Sequence, residues 1–310
     1  MSQPDILRRI TARRRERLAA EGASLGAELP PARDVPLRPF LAAPEIICEV
    51  KRRSPSAGSI SAIPDPVQLA TSYIRGGAPS LSVLTEEDYF AGSLQDLMAI
   101  KRANPEVAVL RKDFLFDEAD VDCTFRAGAD ALLLIAAILD DKEIAHILAA
   151  AEERGLAVLA EAHDEEDLEK LRPHRPSLVG VNSRDLRTFR VDPLLPLALA
   201  GRVDWPARLV FESGIREPEQ AQVALDGGFA GILVGESVVR RKERIPELIG
   251  AIEGRYRRRL RGADGIAAGT SRGTPSDPAG PADGIAAGTG ARAEGAPFWS
   301  TISRAVARRG

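Results

Sequence analysis

From residue 45 to residue 261, short apolar runs alternate with stretches whose apolar residues recur at helical spacing. The runs are Ile46–Lys51, Leu81–Leu84, Val107–Lys112, Ala131–Ile135, Leu156–Glu161, Leu178–Asn182, Leu209–Glu212 and Gly231–Val234. Each is rich in Leu or β-branched residues and bounded by Gly, Pro or charged residues, as a parallel strand buried on both faces should be. Helical patterns fill the intervals over Pro66–Arg75, Leu94–Ala103, Ala119–Ala127, Lys142–Glu153, Glu165–Leu171, Glu217–Leu225 and Arg244–Leu260. After Asn182, Pro193 and Pro196 leave room only for a short helix near Leu194–Leu199. Eight strands with helices between and after them, at a repeat of roughly 26 residues, predict an α/β fold of the (β/α)8 TIM-barrel type. A doubly wound sheet is the alternative, but it usually has fewer strands and a glycine-rich first turn, and no G-x-G-x-x-G occurs.

Two flanking segments break the pattern. Residues 5–22 read as a basic amphipathic helix with Ile6, Ile10 and Leu18 on one side, part of an N-terminal helical extension (1–44) placed to cover an open end of the barrel. Its Arg8, Arg9, Arg13, Arg14, Arg15 and Arg17 read as a solvated face rather than a nucleic-acid patch, since the chain carries a net charge of −3. Residues 262–310 hold 10 Gly and 12 Ala and repeat Ala-Asp-Gly-Ile-Ala-Ala-Gly-Thr at 263–270 and 282–289. Such a segment buries too little apolar surface to offset the entropy of ordering it, so it reads as a disordered tail without a function. The catalytic barrel is therefore placed at 45–261.

Composition narrows the function. The longest apolar run, Ala131 to Leu139, is about half a membrane span, and no apolar segment follows the N-terminal arginines as in a secretory signal. Cys48 and Cys123 make no disulfide framework, fit a reducing cytoplasm and read as small core residues. Walker A, H-E-x-x-H and C-x-x-C are absent, so neither cofactor nor metal is expected, and no obligate protein partner is predicted. Of 42 basic residues only six are lysines: Lys51, Lys101, Lys112, Lys142, Lys170 and Lys242.

Barrel chemistry sits at the C-terminal ends of the strands, and the unusual polar residues collect there. The first run ends in Glu49-Val50-Lys51, whose two charged residues share a strand face. The third ends in Arg111-Lys112-Asp113, the fifth in Glu161, the sixth in Asn182, the seventh in Glu212-Ser213-Gly214, and the eighth is followed by Gly235. Structural ion pairs, Glu49–Lys51 and Lys112–Glu161, are the bland alternative. Against it, arginine is the better structural cation and this chain prefers it, whereas lysine can shift its pKa and donate a proton. Glu161 is the candidate base. Glycines after strands 7 and 8 match the phosphate-cradling region of many barrels. His146 and His174 read as surface residues and His163 as structural. The residues thus point to Lys/Glu acid–base chemistry on a phosphorylated small molecule.

The segments Ile47-Cys48-Glu49-Val50-Lys51-Arg52-Arg53-Ser54-Pro55-Ser56, Ser82-Val83-Leu84-Thr85, Arg111-Lys112-Asp113-Phe114, Ala160-Glu161-Ala162-His163, Val181-Asn182-Ser183-Arg184-Asp185-Leu186 and Glu212-Ser213-Gly214-Ile215-Arg216 resemble, in order and spacing, the indole-3-glycerol phosphate synthase family. The resemblance runs from about residue 5 to 255. It implies ring closure of 1-(2-carboxyphenylamino)-1-deoxyribulose 5-phosphate to an indole, with loss of CO₂ and water, in tryptophan synthesis. By the family's roles Lys112 is the general acid at the ribulose carbonyl, made effective by a pKa near neutrality. Lys51 holds the anthranilate carboxylate, Glu161 assists dehydration, and Glu49 and Asn182 orient these groups. Ser54, Gly214, Gly235 and Glu236 line the phosphate, Phe90 and Phe114 wall the aromatic ring, and Arg184, Glu212 and Ser213 add substrate contacts.

Three departures from the family pattern bear on affinity. Ala57 stands where the family often has Lys, Ser183 where it has Asn, and Glu118-Ala119-Asp120-Val121-Asp122 replaces a Tyr-Gln-rich helix opening. Two competing readings remain. Another phosphate-binding barrel such as phosphoribosylanthranilate isomerase is expected to pair a Cys with an Asp, for which only Cys48 is placed. A non-catalytic relative would act through its termini, but the two lysines and Glu161 argue against that.

Overall fold

The computed structural model describes residues 6–252 apart from 55–57, 60–64, 186–189, 236–237 and 239–243. Eight strands close a parallel barrel: β1 (Glu45–Val50), β2 (Ser80–Leu84), β3 (Ala108–Lys112), β4 (Ala131–Ile135), β5 (Ala157–Ala162), β6 (Leu178–Asn182), β7 (Arg208–Glu212) and β8 (Gly231–Val234). Each pairs in parallel with its sequence neighbours, and β8 closes on β1 through Glu45–Cys48 and Gly231–Val234. Every residue of β2, β4 and β6 is buried, which is why these strands read as unbroken apolar runs rather than alternating ones.

The helices are α1 (Ile6–Glu21), α2 (Pro66–Arg75), α3 (Leu94–Ala103), α4 (Glu118–Arg126), α5 (Asp141–Glu153), α6 (Glu165–Leu171), α7 (Leu195–Ala200) and α8 (Pro218–Asp226), with a further helical run at 244–252. Most helices after strands begin on a side-chain cap. Asp65, Ser93, Asp117, Asp140 and Asp164 each accept a backbone N–H of the first turn, at 2.8 to 3.0 Å. The strand-to-helix turns that carry the site are thereby held at their far ends. The expected run to Leu260 leaves the described residues after 252, and the 262–310 segment lies wholly outside them. Among the described residues no helix is long and apolar enough to cross a membrane.

Helix α1 lies on the C-terminal rim of the barrel. Arg17 donates to Glu87 after β2 at 2.6 Å, Arg14 to the Phe114 carbonyl after β3 at 3.4 Å, and Arg15 to Glu143 of α5 at 2.9 Å. The arginine run is thus not a uniformly solvated face, because Arg14 is 2% exposed and paired with Asp113 and Asp120. The chain then descends past α4, where Arg33 binds Asp130 at 2.7 Å. It ends beneath the starts of β1, β7 and β8, where Arg208 donates to the Leu41 carbonyl and Leu41 packs on Gly231.

Candidate active site

The C-terminal strand ends surround one cavity. On its floor stand Glu49 and Lys51 of β1 and the residue after it, Lys112 of β3, Glu161 of β5 and Asn182 of β6. Lys51 is ion-paired to Glu49, as the two-residue spacing on one strand face requires. Lys112 Nζ lies 3.0 Å from Glu212 Oε2 and 3.4 Å from Glu161 Oε2, and Asn182 Nδ2 donates to the same Glu161 oxygen at 3.2 Å. Four strands therefore converge on one ammonium and its carboxylates.

Burial decides the protonation states. It penalises every charge here, but at Lys112 it is outweighed by Glu212, Glu161 and Glu49, which raise the pKa well above the ordinary lysine value. The expected near-neutral lysine is therefore corrected: the glutamates around it keep Lys112 a cation. Glu161 is penalised by burial too, yet Lys112 and His163 hold it well below the usual carboxylate range. Glu212 goes the other way: burial, with the Glu161 charge beside it, pushes it up to about 8 against the pull of Lys112. Two carboxyls around one cation thus share the work, Glu161 ionised and Glu212 keeping its proton. Glu49 is held below its ordinary range, with Lys51, Lys112 and Arg184 overcoming its burial.

Glu212, expected to contact the substrate, is fully buried and is not among the residues lining the cavity. Its Oε1 crowds the place a Cβ on Gly180 would take, so the seat exists only because β6 carries glycine there. Gly235 plays the same part for Glu49, whose Oε2 occupies the space a Cβ would need. Gly235 also lines the cavity, but the crowding by Glu49 makes room for a carboxylate its evident task.

The two sides of the cavity differ. On one, Phe90 and Phe114 present rings with centroids 6.4 Å apart at 33°. Phe90 is held by the buried Glu86 carboxylate, which accepts the backbone N–H groups of Asp88, Tyr89 and Phe90 at 3.1, 2.8 and 3.0 Å. On the opposite rim, beyond β7, Ser213 and Gly214 both adopt positive φ, 67° and 81°, and Arg216 stands beside them. A non-glycine residue in that region marks a backbone over-determined by its surroundings. Here Ser183 donates its hydroxyl to the Ser213 carbonyl at 2.9 Å. Arg184 lines the same side. Glu236 and the side chain of Ser54 lie outside the described residues.

Sequence reasoning missed Arg216 as a wall residue, although it closes the Glu212-to-Arg216 segment, and read His163 as structural. The His163 Nε2 lies 3.1 Å from Glu161 Oε1. Its spacing of two residues from Glu161 was the available signal. His174, expected at the surface, is half-buried against Asp141 at 2.8 Å. Cys48 is fully buried, and burial pushes its thiol up, so it does not supply the base an isomerase would need. No group of three His, Cys, Asp or Glu side chains among the described residues is arranged to hold a metal ion.

A sequence model of the family described as indole-3-glycerol phosphate synthase matches residues 7–248. The chain belongs to that family. The indole-3-glycerol phosphate synthase of Paenarthrobacter aurescens (strain TC1) is 43% identical over 206 residues, covering 66% of this chain and 75% of its own length. That of Desulfotalea psychrophila (strain LSv54) is 39% identical over 245 residues, covering 76% and 94%. Two of the departures from the indole-3-glycerol phosphate synthase pattern have visible tasks. Ser183 steadies the β7 turn, and Asp120 accepts the Phe116 N–H at 2.9 Å while pairing with Arg14. Ala57 lies outside the described residues.

Proposed function

We propose that this cavity closes the ring of 1-(2-carboxyphenylamino)-1-deoxyribulose 5-phosphate, releasing CO₂ and water to leave indole-3-glycerol phosphate. The observation that carries it is the buried Lys112 ammonium between Glu161 and Glu212, set between an aromatic wall and a polar rim. Phe90 and Phe114 sandwich or flank the anthranilate ring, and Lys51 pairs with its carboxylate. The phosphate lies on the opposite rim, at Ser213, Gly214 and Arg216, with Ser54 and Glu236 of the adjoining loops. Arg184 and Asn182 orient the sugar chain.

As the ring carbon attacks the ketone, negative charge grows on the ketone oxygen. Lys112 donates its proton there, because a developing alkoxide is a stronger base than the neighbouring carboxylates. CO₂ then leaves from the attacking ring carbon, and its bonding electrons restore the aromatic ring. The hydroxyl leaves as water on taking a proton from Lys51, which Glu49 keeps oriented, while Glu161 takes the proton lost from the adjacent carbon as the double bond forms. The same reading makes the protein an enzyme of the cytoplasm acting on a small molecule, which its two buried, unpaired cysteines suit.

Incubating the protein with the carboxyphenylamino substrate should give indole fluorescence. Lys112→Ala should lower kcat by roughly 10²–10⁴ with the melting temperature little changed. Lys51→Arg should also turn over poorly, since a guanidinium in place of the ammonium cannot exchange a proton near neutrality. Unimpaired turnover in the Lys112 variant would remove it from the chemistry.

A further inference from the structure

Behind Glu161 the structure places a histidine that the catalytic cavity does not reach. Glu161 turns Oε2 inward to Lys112 and Asn182 and Oε1 outward to His163. The imidazole touches carboxylates at both nitrogens: Nε2 lies 3.1 Å from Glu161 Oε1, and Nδ1 lies 3.3 Å from Asp167 Oδ2. The Nε2 contact is an ion pair rather than an aligned hydrogen bond. Asp167, on the first turn of α6, also accepts the His163 backbone N–H at 2.9 Å, so ring and backbone are anchored together. A neutral imidazole carries one proton and satisfies one acceptor, whereas two flanking carboxylates call for a proton on each nitrogen. The side chain is 9% exposed, and its free edge borders a second cavity beneath α1, lined also by Arg8, Arg15, Asp164, Glu166, Lys170 and Asp185.

We infer that His163 is a positioning residue for the reaction: as an imidazolium braced by Asp167, it holds the outer oxygen of Glu161 and keeps that carboxylate ionised beside Lys112. The inference rests on the reading that Glu161 acts in the dehydration. Beside Asn182, three titratable groups face Glu161: Lys112 from β3, Glu212 from β7, and His163 just past the end of its own strand. Two are cations, and Glu212, which keeps its proton, yields the shared charge to Glu161. Burial lowers the imidazole pKa, but Glu161 and Asp167 overcome it and raise the ring to about 10, so it stays charged through the neutral range.

The test is the pH profile of full-length His163→Gln and Asp167→Asn, assayed with the carboxyphenylamino substrate, with Glu161→Gln alongside. Removing a cation from beside a carboxylate raises its pKa, so the acid limb of kcat should move to higher pH in His163→Gln. At neutral pH kcat should fall by about tenfold, a fraction of a general base's contribution, with KM within about twofold. Asp167→Asn keeps an acceptor for the His163 backbone N–H but loses the charge, and should shift the limb the same way by less. If His163→Gln does not fold, Asp167→Asn decides. Wild-type profiles in both variants would overturn the inference, as would a KM effect with kcat unchanged. Full turnover by Glu161→Gln would instead overturn the underlying reading of Glu161.

Discussion

Glu212 and Gly180 show how closely the catalytic charges depend on single atoms. Glu212 holds its proton to about pH 8 because it is buried next to an ionised Glu161, against an ordinary value of 4.5. A carboxyl that binds its proton more tightly folded than unfolded stabilises the fold below the unfolded value and loses that contribution as pH rises through the folded one. Glu212→Gln cannot titrate. Its melting temperature should therefore gain on the wild type between about pH 5 and pH 8.5, and parallel curves would refute the assignment. Gly180→Ala would place a methyl on the Glu212 carboxyl, which cannot retreat without leaving Lys112. It should cost roughly 1–3 kcal/mol as overpacking and lower kcat as well, checked by thermal melts and steady-state kinetics. Lys101 is the counter-lesson among the scarce lysines. Its buried ammonium satisfies Asp130 at 2.8 Å and the carbonyls of Val107 and Pro105 at 2.8 and 3.2 Å, a role in which three compact donors suit three converging acceptors.

Helix α1 is tied to the catalytic strand by charge as well as by apolar packing. Arg14 reaches Asp113, the residue after Lys112, and Asp120 at the start of α4, both at 3.4 Å. Asp113 in turn accepts Thr85 Oγ1 at 2.6 Å, Arg111 at 3.1 Å and the Phe114 N–H at 2.8 Å. One buried network thus sets the turn from which Lys112 and Phe114 enter the cavity. Arg14→Ala removes the cation and leaves two buried carboxylates short of a partner, a loss of about 3–5 kcal/mol. Denaturant unfolding should register that loss, and kcat/KM should fall with it because the β3 turn loosens. A stable, fully active Arg14→Ala protein would show that α1 merely rests on the rim.

At the scale of the whole molecule, barrel closure brings groups from β1, β3, β5, β6 and β7 to one end, while the Phe90–Phe114 wall and the Ser213–Arg216 rim stand across the mouth from each other. A substrate with an aryl group at one end and a phosphate at the other is matched by that span. Residues 262–310 are rich in Gly and Ala, a composition poor in large apolar side chains. We expect removal of 262–310 to leave melting temperature and kcat/KM near their full-length values, measured on the two proteins side by side.

Much of this was determined by the sequence alone. The eight apolar runs named the eight strands to within a residue or two at their ends, since β-structure buried on both faces must be apolar throughout. The same rule made Glu49, Lys112, Glu161 and Asn182 conspicuous, because a polar side chain ending such a run is costly unless it is used. The tertiary structure alone decided what those groups do to one another. Whether Glu161 or Glu212 keeps the proton depends on burial and on their distances to each other and to Lys112, groups far apart along the chain. Periodicity carries no information about such distances. The role of Gly180 and the pairing of Arg14 likewise arise only in the folded barrel, because each is a contact between segments distant in the sequence.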